Sequence, residues 1–329
     1  MEELANKTVL VTGGTGSFGE NFVKFLLAKS EIKKIIVFSR DELKQFNMQQ
    51  KLKDNRLRFF IGDVRDLPRL ERAFNGVDIV VHAAALKQVS ILEYNSFEAV
   101  KTNIIGSQNV INAAIDQGVE KVILISSDKA SQPVNLYGST KLCAEKLFIN
   151  GNAYSAKKTR FTCVRYGNVL GSRGSIVETL SKAKQADKVY ITDESMTRFW
   201  ISLKQAYELV YFAISNMTGG EIFIPKIPSM KIVDLFEAMV PGVPREIIGI
   251  RPGEKLHESL LTREEARHSM ELEKYFVIIP EVSEIFEIAT EFKKYFETGK
   301  KLAPDFSYSS DNNSAWLTKE DLIKLIDAK

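Results

Sequence analysis

Three consecutive residues offer a hydroxyl, a carboxyl and an amine: Ser127, Asp128 and Lys129. Tyr137 and Lys141 follow them closely. A tyrosine and a lysine four positions apart share one helix face, so the ammonium can favour the phenolate. Such a tyrosine takes the proton of an alcohol while hydride leaves the same carbon for a nicotinamide. The spacing alone is weak evidence. Tyr154 and Lys158 repeat it with nothing chemical before them, and that second pair reads as a surface coincidence. The first pair gains weight from its place after an apolar run that ends in hydroxyl, acid and amine. Adjacent charges at a strand end can be a solvated ion pair, but beside a nucleotide crevice a catalytic reading is stronger.

The elements that position these groups follow from hydrophobic patterning. Apolar runs at Thr8–Thr12, Ile35–Phe38, Leu57–Ile61, Asp78–His82, Lys121–Ser126 and Phe161–Tyr166 alternate with segments of helical spacing. The runs are continuous rather than alternating, as in strands covered on both faces. This predicts an α/β fold, a doubly wound parallel sheet of the Rossmann type, with a smaller α/β domain for substrate. The expected division is a nucleotide-binding domain over 1–167, to which 195–225 returns, and a substrate domain built mainly from 168–329.

After the first strand come Gly13, Gly16 and Gly19, with Thr15, Ser17 and Phe18 between them. Glycines relieve the tight strand-to-helix turn and let backbone N–H groups approach a pyrophosphate at the helix N-terminus. Ser39, Arg40 and Lys44 after the second strand favour the 2′-phosphate of NADP; Asp41 stands one place beyond the usual acidic position for NAD. Asp63 and Val64 are expected beside the adenine, and Ala83 and Ala84 where the backbone passes close to the cofactor. His82 reads as a satisfied core histidine.

The chain has 329 residues, 44% of them hydrophobic and 26% charged, and a net charge of +3. That balance argues against a nucleic-acid coat. Two cysteines cannot form a disulfide scaffold and suggest a reducing compartment. No leader or membrane-length apolar run is evident, so a cytoplasmic protein is expected, without a membrane partner. No metal-ligand cluster stands out.

A plain sugar-nucleotide 4-epimerase needs only the hydroxyl and the tyrosine, which leaves Asp128 and Lys129 in surplus. The blocks TGGTGSFG, FSRDELKQF, FIGDVRD, HAAALKQV, SSDKASQPVNLYGSTK, RYGNVLGSRGS, MTRFWISL, GGEIFIPKIPSMK and IGIRPGEKLHE closely resemble the inverting UDP-N-acetylglucosamine 4,6-dehydratases. These are extended members of the short-chain dehydrogenase/reductase superfamily. The sequence departs from the pattern at Leu86 and Gln88, and at Ser127, where threonine is more usual.

The resemblance implies a hydro-lyase with transient hydride storage on NADP. Tyr137 takes the C4 hydroxyl proton, Lys129 the C5 proton, and Asp128 protonates the C6 hydroxyl, with a lowered Lys129 pKa required. Lys87 is expected at cofactor or substrate. Asn168, placed at the end of the sixth strand, Arg173, Ser175, Thr192, Arg198, Arg251 and Glu254 are expected around UDP-N-acetylglucosamine. A homo-oligomer, dimer or hexamer, is expected. Alternatives are a retaining dehydratase, a 4-epimerase and, from another class, a non-catalytic NADP sensor.

Overall fold

The computed structural model describes residues 2–29, 31–156, 158–183, 187–282 and 284–327. Its first half alternates β1 (Thr8–Thr12), α1 (Ser17–Lys29), β2 (Lys34–Ser39), α2 (Glu42–Leu52), β3 (Leu57–Ile61), α3 (Leu67–Phe74) and β4 (Ile79–His82). Then come α4 (Val89–Tyr94), α5 (Ser96–Ala99), a π-helical segment Val100–Ile105, α6 (Gly106–Asp116), β5 (Lys121–Ile125), α7 (Leu136–Tyr154) and β6 (Arg160–Val164). All five residues of β1 are buried and so are those of β4, as expected of strands with helices on both sides. The six apolar runs named above each coincide with one of these strands to within two residues at either end; β6 starts one residue before its run and ends two residues earlier than expected.

The second half adds β7 (Asn168–Val169), α8 (Ile176–Lys182), β8 (Val189–Ile191), β9 (Thr197–Ile201), α9 (Leu203–Asn216), β10 (Ile222–Pro225), β11 (Ser229–Lys231) and β12 (Arg245–Ile247). After these come β13 (Ser259–Leu261), β14 (Ser269–Glu271), β15 (Tyr275–Ile278), β16 (Lys300–Lys301) and β17 (Tyr308–Ser309). The main sheet has ten strands in the order β16-β14-β15-β10-β6-β5-β4-β1-β2-β3. From β3 to β10 the pairing is parallel, and β15, β14 and β16 continue it antiparallel. The doubly wound parallel sheet is therefore present. Residues from 222–301 extend it beyond the first half.

A second core gathers under β7, β9 and β11 around Trp200, Met230, Leu235 and Phe236, apart from the core under the main sheet. Asn168 does not end the sixth strand. It lies in β7, which pairs with Trp200 and Ile201 of β9. The tail holds a helix at Lys319–Asp327, as its amphipathic pattern predicts, and also β17, which the polar composition of that loop conceals.

Helix starts follow side-chain caps. Asn135 accepts from Gly138 N at the start of α7, and Asp41 accepts from Lys44 N at α2. Ser202 and Gln205 form a capping box on α9. These caps fix where each helix begins, and so which residues reach the sheet edge.

Candidate active site

The C-terminal ends of β1, β4 and β5 open on one cleft of about 1410 Å³, walled on its far side by β9, α8 and the 251–258 segment. The glycine loop forms one end. Gly13 has φ +64°, and a Cβ there would stand 2.8 Å from Ala84 N. Gly16 N–H donates to Gly13 O at 2.8 Å, which closes the turn and starts α1 at Ser17. Thr15, Gly16, Ser17, Phe18 and Gly19 line the cleft. A helix N-terminus and a loop with no room for side chains fit the pyrophosphate of a dinucleotide.

The catalytic end is built at β5. Ser127 caps a single 3-10 turn, Asp128–Ala130. Ser127 Oγ donates to Asp128 Oδ1 at 2.8 Å, and Lys129 Nζ donates to the same oxygen at 3.1 Å. Asp128 is buried, and its Oδ2 has no hydrogen-bond partner among the described residues. The turn packs on α7 through Gly138, where a Cβ would collide with the Lys129 carbonyl oxygen. Glycine in the Tyr137-Gly-Ser-Thr-Lys141 run thus lets the tyrosine-bearing turn nest against the lysine-bearing one. Tyr137, Lys141, Ser127, Asp128 and Lys129 all line the cleft.

The electrostatics correct two expectations. Burial pushes the Lys129 amine down, but the carboxylates of Asp128 and Glu258 outweigh it, and its pKa is raised. The expected fall does not occur because two acids flank the ammonium. The second concerns Lys141, which is not among the groups that act on the Tyr137 phenol. It turns inward and donates to Ile125 O at 2.6 Å, and burial lowers its pKa to about 8. The cation acting on Tyr137 is Lys129. Burial raises the phenol, while Lys129 and Ser127 pull it back.

Glu258 is the residue that local reading missed. It is buried, with Oε1 3.2 Å from Lys129 Nζ, Oε2 3.5 Å from Lys255 Nζ and Oε1 3.8 Å from Arg198 Nε. The block IGIRPGEKLHE ends on it, and its position just before the apolar Ser259–Leu261 strand is the available signal. Asn103, in the π-helical segment, was also passed over. It holds Leu86 through both N–H and C=O and donates to Thr140 Oγ1, tying the 83–88 loop to α7.

The adenosine end is less enclosed. Ser39 is buried and accepts from Gln45, so its hydroxyl is already engaged. Arg40 is exposed and lies 3.7 Å from Asp63, whose carboxylate also holds Arg65. Val64 packs in the core. Of these residues only Lys44 reaches the cleft. Ala83 and Ala85 line it, whereas Ala84 donates to Thr12 and faces the core. His82 is a core histidine, bonded to Thr12 and Ser107; burial lowers its pKa to about 3, helped by Lys141.

The model of the polysaccharide biosynthesis protein family matches residues 9–280. The chain is also 49% identical over 325 residues to the inverting UDP-N-acetylglucosamine 4,6-dehydratase of Campylobacter jejuni strain 81-176, covering 97% of each. The chain belongs to the polysaccharide biosynthesis protein family. The resemblance read from its blocks therefore holds over nearly the whole length. A protein named UDP-glucose 4-epimerase from Rickettsia akari is 39% identical over 98% of this chain and 95% of its own. Among solved structures, Pen from Bacillus thuringiensis is 40% identical, with a TM-score of 0.89 over 99% of this chain and 98% of that one.

In this member of the polysaccharide biosynthesis family, the residues expected at the substrate divide in three. Asn168, Ser175, Thr192, Arg251 and Glu254 line the cleft, as does Lys87. Glu254 Oε2 is buried with no hydrogen-bond partner among the described residues, an acceptor open to a ribose hydroxyl. Arg173 lies over the glycine loop, donating to Thr15 O at 2.6 Å and from its backbone to Ser17 Oγ at 2.9 Å. Those contacts place it at the glycine-loop end of the cleft. Arg198 reaches the cleft wall, but its Nη1 and Nη2 donate to the carbonyls of Thr197, Leu256 and Lys255. These bonds brace the wall with part of the guanidinium, and Arg198 still lines the cleft.

Proposed function

We propose that this chain is an NADP-dependent UDP-N-acetylglucosamine 4,6-dehydratase that inverts C5. The observation that carries the reading is the Ser127–Asp128–Lys129 turn lying beside Tyr137 in one cleft. An acid and an amine in contact there are surplus to alcohol–ketone exchange and are what elimination of water needs.

The nicotinamide, when bound, stores the C4 hydride and returns it at C6. Tyr137 removes the C4 hydroxyl proton, with Lys129 and Ser127 favouring its phenolate. The 4-ketone acidifies C5–H. Lys129 enters as an ammonium and Asp128 as a carboxylate, 3.1 Å apart. One proton passed from Lys129 to Asp128 yields a neutral amine and a neutral acid. Burial of Lys129 works toward the neutral amine. The amine then takes the C5 proton, and Asp128 protonates the leaving C6 hydroxyl. Reprotonation of C5 from the opposite face inverts that centre. The glycine loop, Ala83, Tyr137 and Lys141 would hold the dinucleotide. Glu254, Arg251, Asn168, Ser175 and Thr192 would hold the UDP-sugar, and Lys87 stands between the two groups.

Proton NMR of the product formed from UDP-N-acetylglucosamine in D2O tests this. The expected product is a 4-keto-6-deoxy sugar of L-arabino configuration with deuterium at C5. A UDP-N-acetylgalactosamine product that keeps its C6 hydroxyl would establish the 4-epimerase instead, the reading favoured by the name of the Rickettsia relative.

NADP over NAD rests on Arg40 and Asp41. The Asp41 carboxylate caps α2 at Lys44 N and pairs with Lys44 Nζ at 2.7 Å, so it is engaged where NAD selection would need a free acceptor. Arg40 stays exposed for a 2′-phosphate. Arg40→Ala should raise the Kd for NADP on the order of 10-fold while leaving that for NAD nearly constant. Fluorescence titration of both cofactors checks it, and equal losses for the two would reverse the assignment.

Cys143 and Cys163 are free thiols, compatible with a reducing cytoplasm, and among the described residues no helix is long and apolar enough to cross a membrane. A homo-oligomer completes the reading. Ile91, Tyr94 and Phe97 stand exposed on α4 and α5 and supply apolar surface for a second copy.

A further inference from the structure

We propose that Glu258 is a positioning residue for Lys129: its buried carboxylate aims the amine at C5 and keeps the exchangeable proton within the Lys129–Asp128 pair. This rests on the dehydratase reading and adds a residue from the opposite wall of the cleft.

The geometry is specific. Lys129 Nζ lies between two acids, 3.1 Å from Asp128 Oδ1 on its own turn and 3.2 Å from Glu258 Oε1 across the cleft. Glu258 is only 2% exposed. Its backbone is clamped on both sides, with its N–H donating to Ser310 Oγ and its carbonyl accepting from Ser310 N. Lys255, in the same segment, donates to Ser131 O at 2.6 Å and so ties the segment to the catalytic turn. Arg198 braces the same segment through the Leu256 and Lys255 carbonyls. The carboxylate is preorganised before any ligand arrives.

The groups that act on the Lys129 charge come from every side: Asp128 beside it, Glu258 and Lys255 from the segment before β13, Arg198 from β9, Tyr137 from α7 and Lys87 from the loop after β4. Burial pushes Glu258 up, but Lys129, Arg198 and Lys255 outweigh it and hold it ionised. As Lys129 takes the C5 proton it gains positive charge, and a fixed carboxylate beside it stabilises that charge. Arg198 and Lys255 remain to balance Glu258 while Lys129 is neutral, so the neutral interval leaves no bare buried carboxylate.

The active protonation state holds one proton on the Lys129–Asp128 pair, which gives a bell-shaped pH profile with values belonging to the pair. Its alkaline limb reports loss of that proton. Glu258→Gln keeps an oxygen acceptor but removes the charge, so this limb should move to lower pH by about one unit or more. Glu258→Asp keeps the charge but draws it back. It should leave the limb in place and slow C5 exchange more than C4 oxidation, by on the order of 10²-fold, with KM little changed.

The measurement is deuterium incorporation at C5 and reduced-cofactor formation, followed from neutral to alkaline pH in the parent and both variants. Melting temperatures establish that each variant is folded. An alkaline limb of Glu258→Gln that coincides with the parent's would overturn the proposal. So would equal slowing of both half-reactions in Glu258→Asp, the one test needed if Glu258→Gln fails to fold. A parent that shows no C5 exchange would instead sink the dehydratase reading.

Discussion

The two ends of α7 carry the same sequence pattern in different surroundings. At its first turn Tyr137 and Lys141 face the cleft, with Lys141 only 3% exposed and the Ser127–Lys129 turn packed against Gly138. At its last turn Tyr154 is 71% exposed. The helix closes at Ser155, and Ala156 turns back with φ +47°, so Lys158 is no longer on the helix face that Tyr154 occupies. Spacing places two side chains on one face only while the helix continues. A chemical role requires in addition a strand end that supplies neighbours and a wall that excludes water.

The largest effect that comparison predicts is at Tyr137. Tyr137→Phe removes the phenol on which Ser127 and Lys129 act and should lower C4 oxidation by about 10²–10⁴-fold. Single-turnover absorbance of the reduced cofactor reads it directly. Loss below tenfold would mean that another group takes the C4 proton, and the two ends of α7 would then be chemically alike.

Gly138→Ala acts one step away from the chemistry. The new methyl group must displace the Lys129 carbonyl, so the two catalytic turns move apart. A shift near 1 Å costs on the order of 10²-fold in turnover. The expected signature is a larger drop in C5 exchange than in C4 oxidation, because Lys129 moves and Tyr137 keeps its helix. Equal drops would show that the glycine serves stability alone.

Lys141 tests burial itself. Its pKa falls from 10.5 to about 8, burial being the main cause, with Glu145 and Cys163 opposing. Between those values the unfolded chain binds more protons than the folded one, so this group's contribution to stability rises with pH across that window. The penalty below pH 8 is on the order of 3 kcal/mol. Lys141→Met should therefore gain most over the parent near pH 7 and lose that advantage toward pH 10. Urea midpoints of both proteins at the two pH values measure it. An advantage that grows with pH would contradict the burial argument.

What could be read without coordinates divides along the same physical line. β1 to β6 were legible because strands buried on both faces must be continuously apolar, and the glycine loop because a tight turn onto a pyrophosphate admits little else. β14, β15 and β16 were not. They are two to four residues long, and the pairing of β15 with β10, β14 with β15 and β16 with β14 joins segments whose local patterns carry no period. Ser127, Asp128, Lys129 and Tyr137 were legible as neighbours in sequence. Glu258 was not, since an acidic residue in a charged run is ordinary until the fold brings it to Lys129. The same holds for charge. Arg198 was expected beside the UDP-sugar, and only the chain crossing beside it, Lys255 to Leu256, shows part of its guanidinium held by backbone.

The smallest expected effect is at the far end of α7, and it bears on how the first pair was chosen. Tyr154→Phe removes a hydroxyl from an exposed ring, and Lys158→Ala an exposed amine that follows the helix rather than extending it. Surface changes of this kind stay within about 0.5 kcal/mol of parent stability. Turnover of the double variant should match the parent within about twofold, a limit set by the same 0.5 kcal/mol. Initial rates over several substrate concentrations, together with a melting curve, suffice to see it. A tenfold loss in kcat with an unchanged melting temperature would mean that this end of α7 communicates with the cleft. Burial and a strand end would then no longer separate the working tyrosine–lysine pair from the coincidental one.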